Sequence, residues 1–190
     1  MNIIGTGLSG LVGSRIVELL TPRFTFEDLS LDTGVNITNE TNVRERITQS
    51  RAPWIFHFAA KTDVDGAEKE RTFGVKSPTW IVNVTATEQV VSICRETGKR
   101  LLYLSTDYVF DGTKEEYRED DLPNPQGWYA ITKYEGEKRV VSLGDKSLIV
   151  RIANPYRKKF DKLDFVRKII EMLKQGQSIQ APTDQLFVPT

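Results

Sequence analysis

Asn2-Ile3-Ile4-Gly5-Thr6-Gly7-Leu8-Ser9-Gly10-Leu11-Val12-Gly13 opens the chain. Asn2 to Ile4 is apolar enough for a short buried strand, and Leu11 to Leu20 carries the periodicity of a helix. Between them the glycines fall in two overlapping registers, Gly5-x-Gly7-x-x-Gly10 and Gly7-x-x-Gly10-x-x-Gly13. A glycine-rich turn from strand to helix lets backbone N–H groups close on a pyrophosphate at the helix N-terminus. The order strand, glycines, helix weighs against a turn that is merely tight. It predicts a dinucleotide site at Gly7, Gly10, Leu11, Val12 and Gly13.

Working outward, Phe24 to Ser30 reads as a second strand. An acid about 20 positions past the glycines binds the adenosine ribose in such folds. Asp28 fits best, with Asp32 as the alternative, and a carboxylate there opposes a 2′-phosphate and favours NAD. Trp54-Ile55-Phe56-His57-Phe58-Ala59-Ala60 is a near-continuous apolar run, as expected of a strand covered on both faces. His57, the only histidine, lies mid-strand and reads as a core residue rather than a base. Ala59, Ala60 and Lys61 mark the strand end, where small residues let a cofactor pass close. Pro78 to Thr97 predicts one long helix, stopped by Gly98. Leu101 to Ser105 and Lys146 to Ile152 are further strands, and Leu163 to Lys174 is an amphipathic helix. Strands alternating with helices, with no hairpin signal, predict an α/β doubly wound parallel sheet. A nucleotide would lie across the carboxyl ends of its strands.

The chemistry-bearing stretch runs from Leu101 to Lys133. The strand ends in Ser105-Thr106-Asp107, Pro123 and Pro125 break any helix before Gly127, and a helix starts near Trp128. Tyr129 and Lys133 stand four residues apart, on one helical face. An ammonium beside a phenol favours the phenolate. With a hydroxyl arriving from the strand end, this arrangement suits proton transfer in carbonyl–alcohol chemistry. A bare Tyr-x-x-x-Lys also occurs on ordinary solvated helices, so its context decides.

Composition narrows the classes. The 190 residues suffice for one sizeable domain, or for one domain and part of another. Lys+Arg and Asp+Glu balance at 26 each, so bulk charge argues for neither nucleic acid nor a membrane surface. The single cysteine, Cys94, has no internal disulfide partner, which fits a cytoplasmic location. No apolar run is long enough to span a bilayer. A chain opening directly on strand and turn is not expected to carry a signal peptide. A lone His and a lone Cys make no metal cluster.

Ser105-Thr-Asp-Tyr-Val-Phe-Asp-Gly112, Asn124-Pro125 and Tyr129-Ala-Ile-Thr-Lys133-Tyr-Glu-Gly-Glu137, taken in order, resemble the extended short-chain dehydrogenase/reductases. Among these they look most like the dTDP-4-dehydrorhamnose reductases. The resemblance covers most of the chain and selects the Gly7-x-x-Gly10-x-x-Gly13 register. It implies a Rossmann domain, NAD or NADP as cofactor, and a nucleotide-linked 4-keto sugar as substrate. It implies Tyr129 as proton donor, Lys133 as its tuning charge and ribose ligand, and Thr106 as the group on the reacting oxygen. Asn36 and Ile37 would lie beside the adenine, Leu104 beside the cofactor, and Asp107 and Asn154 beside the sugar. Asn83 matches an asparagine of the family's long helix. Residues 1–152 would form the nucleotide-binding domain. Residues 153–190 would begin the substrate lobe, with Asp184 to Thr190 resembling the segment that returns to the nucleotide domain. That lobe looks truncated against the family.

Two positions depart from the family pattern. Asn36 stands where an acid is usual. Asn154-Pro155 stands where a tryptophan is usual, and is reminiscent of nucleotide-sugar epimerases and dehydratases. Three readings therefore stay open: the reductase, an epimerase or dehydratase, and a non-catalytic reductase-like regulatory subunit. The resemblance also leaves a homodimer open.

Overall fold

The computed structural model describes residues 1–180. Five strands form one sheet: β1 (Asn2–Thr6), β2 (Thr25–Leu29), β3 (Trp54–His57), β4 (Arg100–Thr106) and β5 (Ser147–Ile152). Their order is β2-β1-β3-β4-β5 and every pairing is parallel. The helices between them are α1 (Leu11–Leu20), α2 (Glu40–Gln49), α3 (Val64–Glu70), α4 (Pro78–Trp80), α5 (Ala86–Thr97) and α6 (Trp128–Val141), and α7 (Phe165–Lys174) follows β5. The chain leaves β1 toward β2 on one side and returns to β3 on the other. That reversal between β1 and β3 is the topological switch point, outside whose carboxyl edge ligands bind in sheets of this kind.

The core is apolar and continuous. Ile4, Leu29, Ile55, Leu101 and Tyr103 from the strands meet Val43 and Ile47 of α2, Val90, Ile93 and Cys94 of α5, and Val140 of α6. Helix α5 packs against both α2 and α6. Val43 and Ile47 are one turn apart and both fully buried, as an amphipathic helix requires. Burial pushes the Cys94 thiol up to about 12, so this sulfur is an inert core group.

The helix expected from Pro78 to Thr97 is interrupted. Ile81–Thr85 forms a wider π-helical turn between α4 and α5, a form that recurs at functional sites. Asn83 sits within it and is buried. Its Oδ1 accepts from the Lys61 N–H at 2.8 Å, while its Nδ2 donates to the Lys61 carbonyl and to Thr132 Oγ1, each at 3.0 Å. One side chain thus ties the end of β3 to α6. The stretch after Lys61 also forms a helix that periodicity did not signal, α3, capped by Asp63 accepting from the Gly66 N–H.

Gly136 lets α6 approach this far. A Cβ there would stand 2.4 Å from the Tyr103 hydroxyl and 2.9 Å from the Asn83 carbonyl. The segment Asp184 to Thr190 lies outside the described residues.

Candidate active site

A cleft of about 1080 Å³ opens along the carboxyl ends of β1, β3 and β4. The glycine turn forms one wall. Gly7 has φ +68°, and a Cβ there would stand 2.5 Å from the Ala59 amide nitrogen. Only glycine satisfies both the backbone conformation and that approach. A Cβ at Gly13 would meet the Gly7 carbonyl oxygen at 2.3 Å, so the first turn of α1 can pack this closely only without a side chain. Gly10 differs. Its added Cβ would meet only Gly7 O, at 3.2 Å, and it caps α1 with no side chain and no acid in the first turn. The N-terminus of α1 therefore presents bare N–H groups and its positive dipole end to the cleft.

Beyond the glycines the wall continues through Ser30, Leu31 and Asp32, then Val35, Asn36 and Ile37. One oxygen of the Asp28 carboxylate is engaged locally, while Oδ1 is buried with no partner among the described residues. Its Oδ2 accepts from the Ser30 hydroxyl at 2.7 Å, and its backbone carbonyl accepts from Thr33. Asp28 thus braces the turn after β2, while Asp32 is the carboxylate that lines the cleft. Asn36 Oδ1 accepts from the Thr38 N–H and hydroxyl at 3.0 and 2.9 Å. That side chain shapes its own turn, a local use typical of asparagine.

The opposite wall holds Ala59, Ala60, Lys61, Leu104, Ser105, Thr106, Asp107, Tyr129 and Lys133. Lys61 pairs with Glu70, whose other oxygen accepts from the Thr79 N–H and hydroxyl. Thr106 Oγ1 donates to Asp107 Oδ1 at 3.1 Å and accepts from the Tyr108 N–H at 3.2 Å, capping the turn Asp107–Val109. Ser105 Oγ is buried with no partner among the described residues, an orphaned polar atom on the cleft wall. Tyr108 meets Tyr129 edge to face at 6.2 Å.

Tyr129 and Lys133 stand on one face of α6, as their spacing predicts, but the electrostatics differ from the expectation of an acidified phenol. Burial pushes the Tyr129 hydroxyl up to about 12, with the Thr106 hydroxyl pulling the other way. Burial also pushes the Lys133 ammonium down to about 7, opposed by Glu137. Lys133 is 3% exposed. Its Nζ donates to the Leu104 carbonyl at 2.8 Å and lies 4.1 Å from the Tyr103 ring centre. Leu104 thus contributes its carbonyl, a role its side-chain type gave no sign of. Spacing alone put the ammonium beside the phenol. Burial, which spacing does not report, raises the cost of charge at both groups.

His57 is a core residue. It is fully buried, with Nδ1 2.7 Å from Thr6 Oγ1 and Nε2 3.0 Å from Thr87 Oγ1. Burial, and after it the Lys133 charge, takes its pKa down to about 3.

Of the far rim, the sequence pointed only to Asn154 and Pro155. Asn154 and Pro155, then Phe160 to Asp164, close the cleft beside the glycine turn. Asn154 has φ +38°, the one non-glycine positive φ among the described residues, and asparagine tolerates that region better than most residues. Arg157 then reaches back to α1, donating to Ser14 Oγ at 2.7 Å and pairing with Glu18 at 2.8 Å.

The whole chain, residues 1–190, matches the family model described as RmlD substrate binding domain. The chain belongs to this family. Among its relatives, the dTDP-4-dehydrorhamnose reductase of Aggregatibacter actinomycetemcomitans is 32% identical over 187 residues, covering 97% of this chain and 61% of that protein. The crystal structure of dTDP-4-dehydrorhamnose reductase from Bacillus anthracis str. Ames in complex with NADP superposes with a TM-score of 0.80 at 34% identity. It covers 92% of this chain and 60% of that one. Methionine adenosyltransferase 2 subunit beta of Xenopus tropicalis is 31% identical over 162 residues, covering 77% of this chain and 45% of that protein. Against the two reductases, this chain of the RmlD family spans about three fifths of their length.

Proposed function

We infer that the protein is an NAD(P)H-dependent reductase of a nucleotide-linked 4-keto sugar. The observation that carries this reading is the convergence of Tyr129, Lys133 and Thr106 on one cleft whose other wall is the glycine turn. The residues present fit a dinucleotide. The glycine cradle is open at Gly10, bare N–H groups face it, and Asp32 lies where a ribose would follow. Gly7, Gly10, Leu11, Val12 and Gly13 would hold the pyrophosphate, and Asp32, braced by Asp28, the adenosine ribose. Asn36 and Ile37 would flank the adenine. Ala59, Ala60, Lys61 and Leu104 would line the nicotinamide end. Bound there, the cofactor supplies the two-electron reducing equivalent.

The chain's own part is orientation and proton transfer. Thr106 and Asp107 present a hydroxyl and a carboxylate toward the sugar. Tyr129, protonated across the physiological range, gives its hydroxyl proton to the oxygen of the reduced carbonyl. Lys133, charged below about pH 7, offsets the negative charge that remains on the phenol oxygen. Asn154 lines the sugar side of the cleft.

The test is oxidation of NADH and NADPH in the presence of a panel of 4-keto nucleotide sugars. Net oxidation with one of them is the expected result. Epimerisation or dehydration with no net cofactor change would replace the reductase reading. Inactivity across a broad panel, with dinucleotide binding retained, would favour a regulatory subunit.

A further inference from the structure

One turn beyond Lys133, α6 buries a charge that the proposed chemistry does not use. Glu137 is 2% exposed. Four residues separate it from Lys133, so the two side chains leave the same helical face. Arg151 of β5 holds its carboxylate on both oxygens, Nε to Oε1 at 3.0 Å and Nη2 to Oε2 at 2.7 Å. This two-pronged geometry fixes the direction of the carboxylate. The same guanidinium lies over the Phe110 ring at 4.9 Å. Phe110 stacks on Tyr117 at 4.3 Å, and the Tyr117 hydroxyl donates to Asp111 at 2.7 Å. An unbroken set of contacts thus runs from the buried carboxylate to the loop that follows Thr106.

Buried ion pairs contribute little net stability, because desolvation offsets their attraction. The position of this pair is more telling. Among the described residues, no carboxylate lies within hydrogen-bonding distance of the Lys133 ammonium, which rests on a carbonyl and a ring face. Around it, Tyr103 of β4 and Tyr129 of α6 are held protonated and His57 of β3 is neutral. Asp107, on the turn after β4, sits at the mouth of the cleft bound to Thr106. Glu137 is the charge that opposes the effect of burial on Lys133.

We propose that Glu137 and Arg151 are positioning residues for this site: Glu137, one turn from Lys133, favours its charged form, and Arg151 fixes Glu137 while holding Phe110 and the loop that follows Thr106. The proposal rests on the reading of Tyr129 and Lys133 given above, and deepens it. One side chain, Arg151, then links that loop to the buried carboxylate one turn from Lys133.

The test is a ligand-free titration of the full chain labelled with [ε-¹³C]lysine, the Lys133 resonance being assigned by its loss in Lys133→Arg. Glu137→Gln is expected to lower the Lys133 midpoint by ~1 pH unit or more. Glu137→Gln combined with Arg151→Met strands no guanidinium, so it serves if the single variant does not fold, and a smaller downward shift is expected. Arg151→Lys keeps the charge but loses the fork and the stack. Its Lys133 midpoint should hold, while amide-exchange protection over 110–124 falls about tenfold. An unmoved Lys133 midpoint in the folded Glu137 variants would overturn the role of Glu137. Unchanged exchange in Arg151→Lys would overturn that of Arg151. None of these readouts needs cofactor or sugar, so an inactive parent would sink the proposed function and leave the titration standing. In an active parent, the alkaline limb of kcat should move down with the lysine midpoint. A fall in kcat with no movement of the limb would mark a merely structural role.

Discussion

Tyr129 is 9% exposed and Lys133 3% exposed, and at this scale burial is the largest influence on the charge of each. The phenol stays protonated and ready to donate, and the ammonium titrates near neutrality. Tyr129→Phe keeps the ring and removes only the transferable proton. Turnover should fall by ~10² to 10⁴-fold, the usual worth of a general acid, with dinucleotide affinity little changed. Steady-state kinetics alongside calorimetric binding checks this, and full activity in the variant would remove Tyr129 from the chemistry. Thr106→Val should also slow turnover. Its hydroxyl binds Asp107 and caps the following turn, and Thr106→Ser should restore most of the rate. At the opposite wall, Gly10→Val would place a branched side chain where the cleft is open. Loss of NAD(P)H binding with an unchanged circular dichroism spectrum is the expected result, and unaltered affinity would disprove the pyrophosphate site.

Between elements, the decisive contacts are Asn83 to Lys61 and Thr132, and the close approach of α6 to β4 at Gly136. Asn83→Ala would leave the Lys61 N–H and carbonyl without their partner. Each buried polar group left unpaired costs about 1–3 kcal/mol, so the urea midpoint should drop clearly. Asn83→Asp would keep the acceptor for Lys61 N–H but lose both donated bonds, giving an intermediate loss. Gly136→Val is expected to be worse, because its Cβ would overlap the Tyr103 hydroxyl and the Asn83 carbonyl together. Pushing α6 away from β4 would also carry Lys133 off the Leu104 carbonyl. Activity should therefore fall further than stability alone explains. Wild-type stability in Gly136→Val would show that the helix can shift at little cost.

Across the whole molecule, buried titratable groups set how stability follows pH. His57 protonates near pH 6.5 when unfolded but only near about 3 when folded. The unfolded chain binds the extra proton between these values, so stability is lost as pH falls from 6.5 toward 3. The Lys133 ammonium loses its proton near about 7 when folded and near 10.5 when unfolded. Stability from this group therefore rises as pH climbs from about 7 to 10.5. Cys94 acts the other way above pH 9, and Tyr129 and Tyr103 above pH 10, since the unfolded groups ionise there and burial delays ionisation of the folded ones. Denaturant midpoints measured across this range should rise through acid and neutral pH and turn down in strong alkali. His57→Gln should flatten the acid limb, and Lys133→Met the rise above neutrality. An acid limb unchanged in His57→Gln would assign it to the carboxylates instead.

The strand–glycine–helix opening, the parallel α/β order and the Tyr129–Lys133 face were all legible in the chain. Each depends on local periodicity or on short spacing: alternation in strands, four residues per helical face, glycine where a Cβ cannot fit. What periodicity cannot report is which side chain another element reaches. That Asp32 lines the cleft, while one oxygen of Asp28 turns to Ser30, follows from the turn after β2. The π-helical turn at Asn83 answers to Lys61 and Thr132, 22 residues before it and 49 after. The clasp of Arg157 on α1 spans 143 residues to Ser14, and the Glu137–Arg151 pair joins a helix to a strand. The titration of Tyr129 and Lys133 was decided in the same way. The sequence determined that the two groups share one face of a helix. Only the packed structure determined how little water reaches them, and desolvation rather than proximity sets the larger part of their shift.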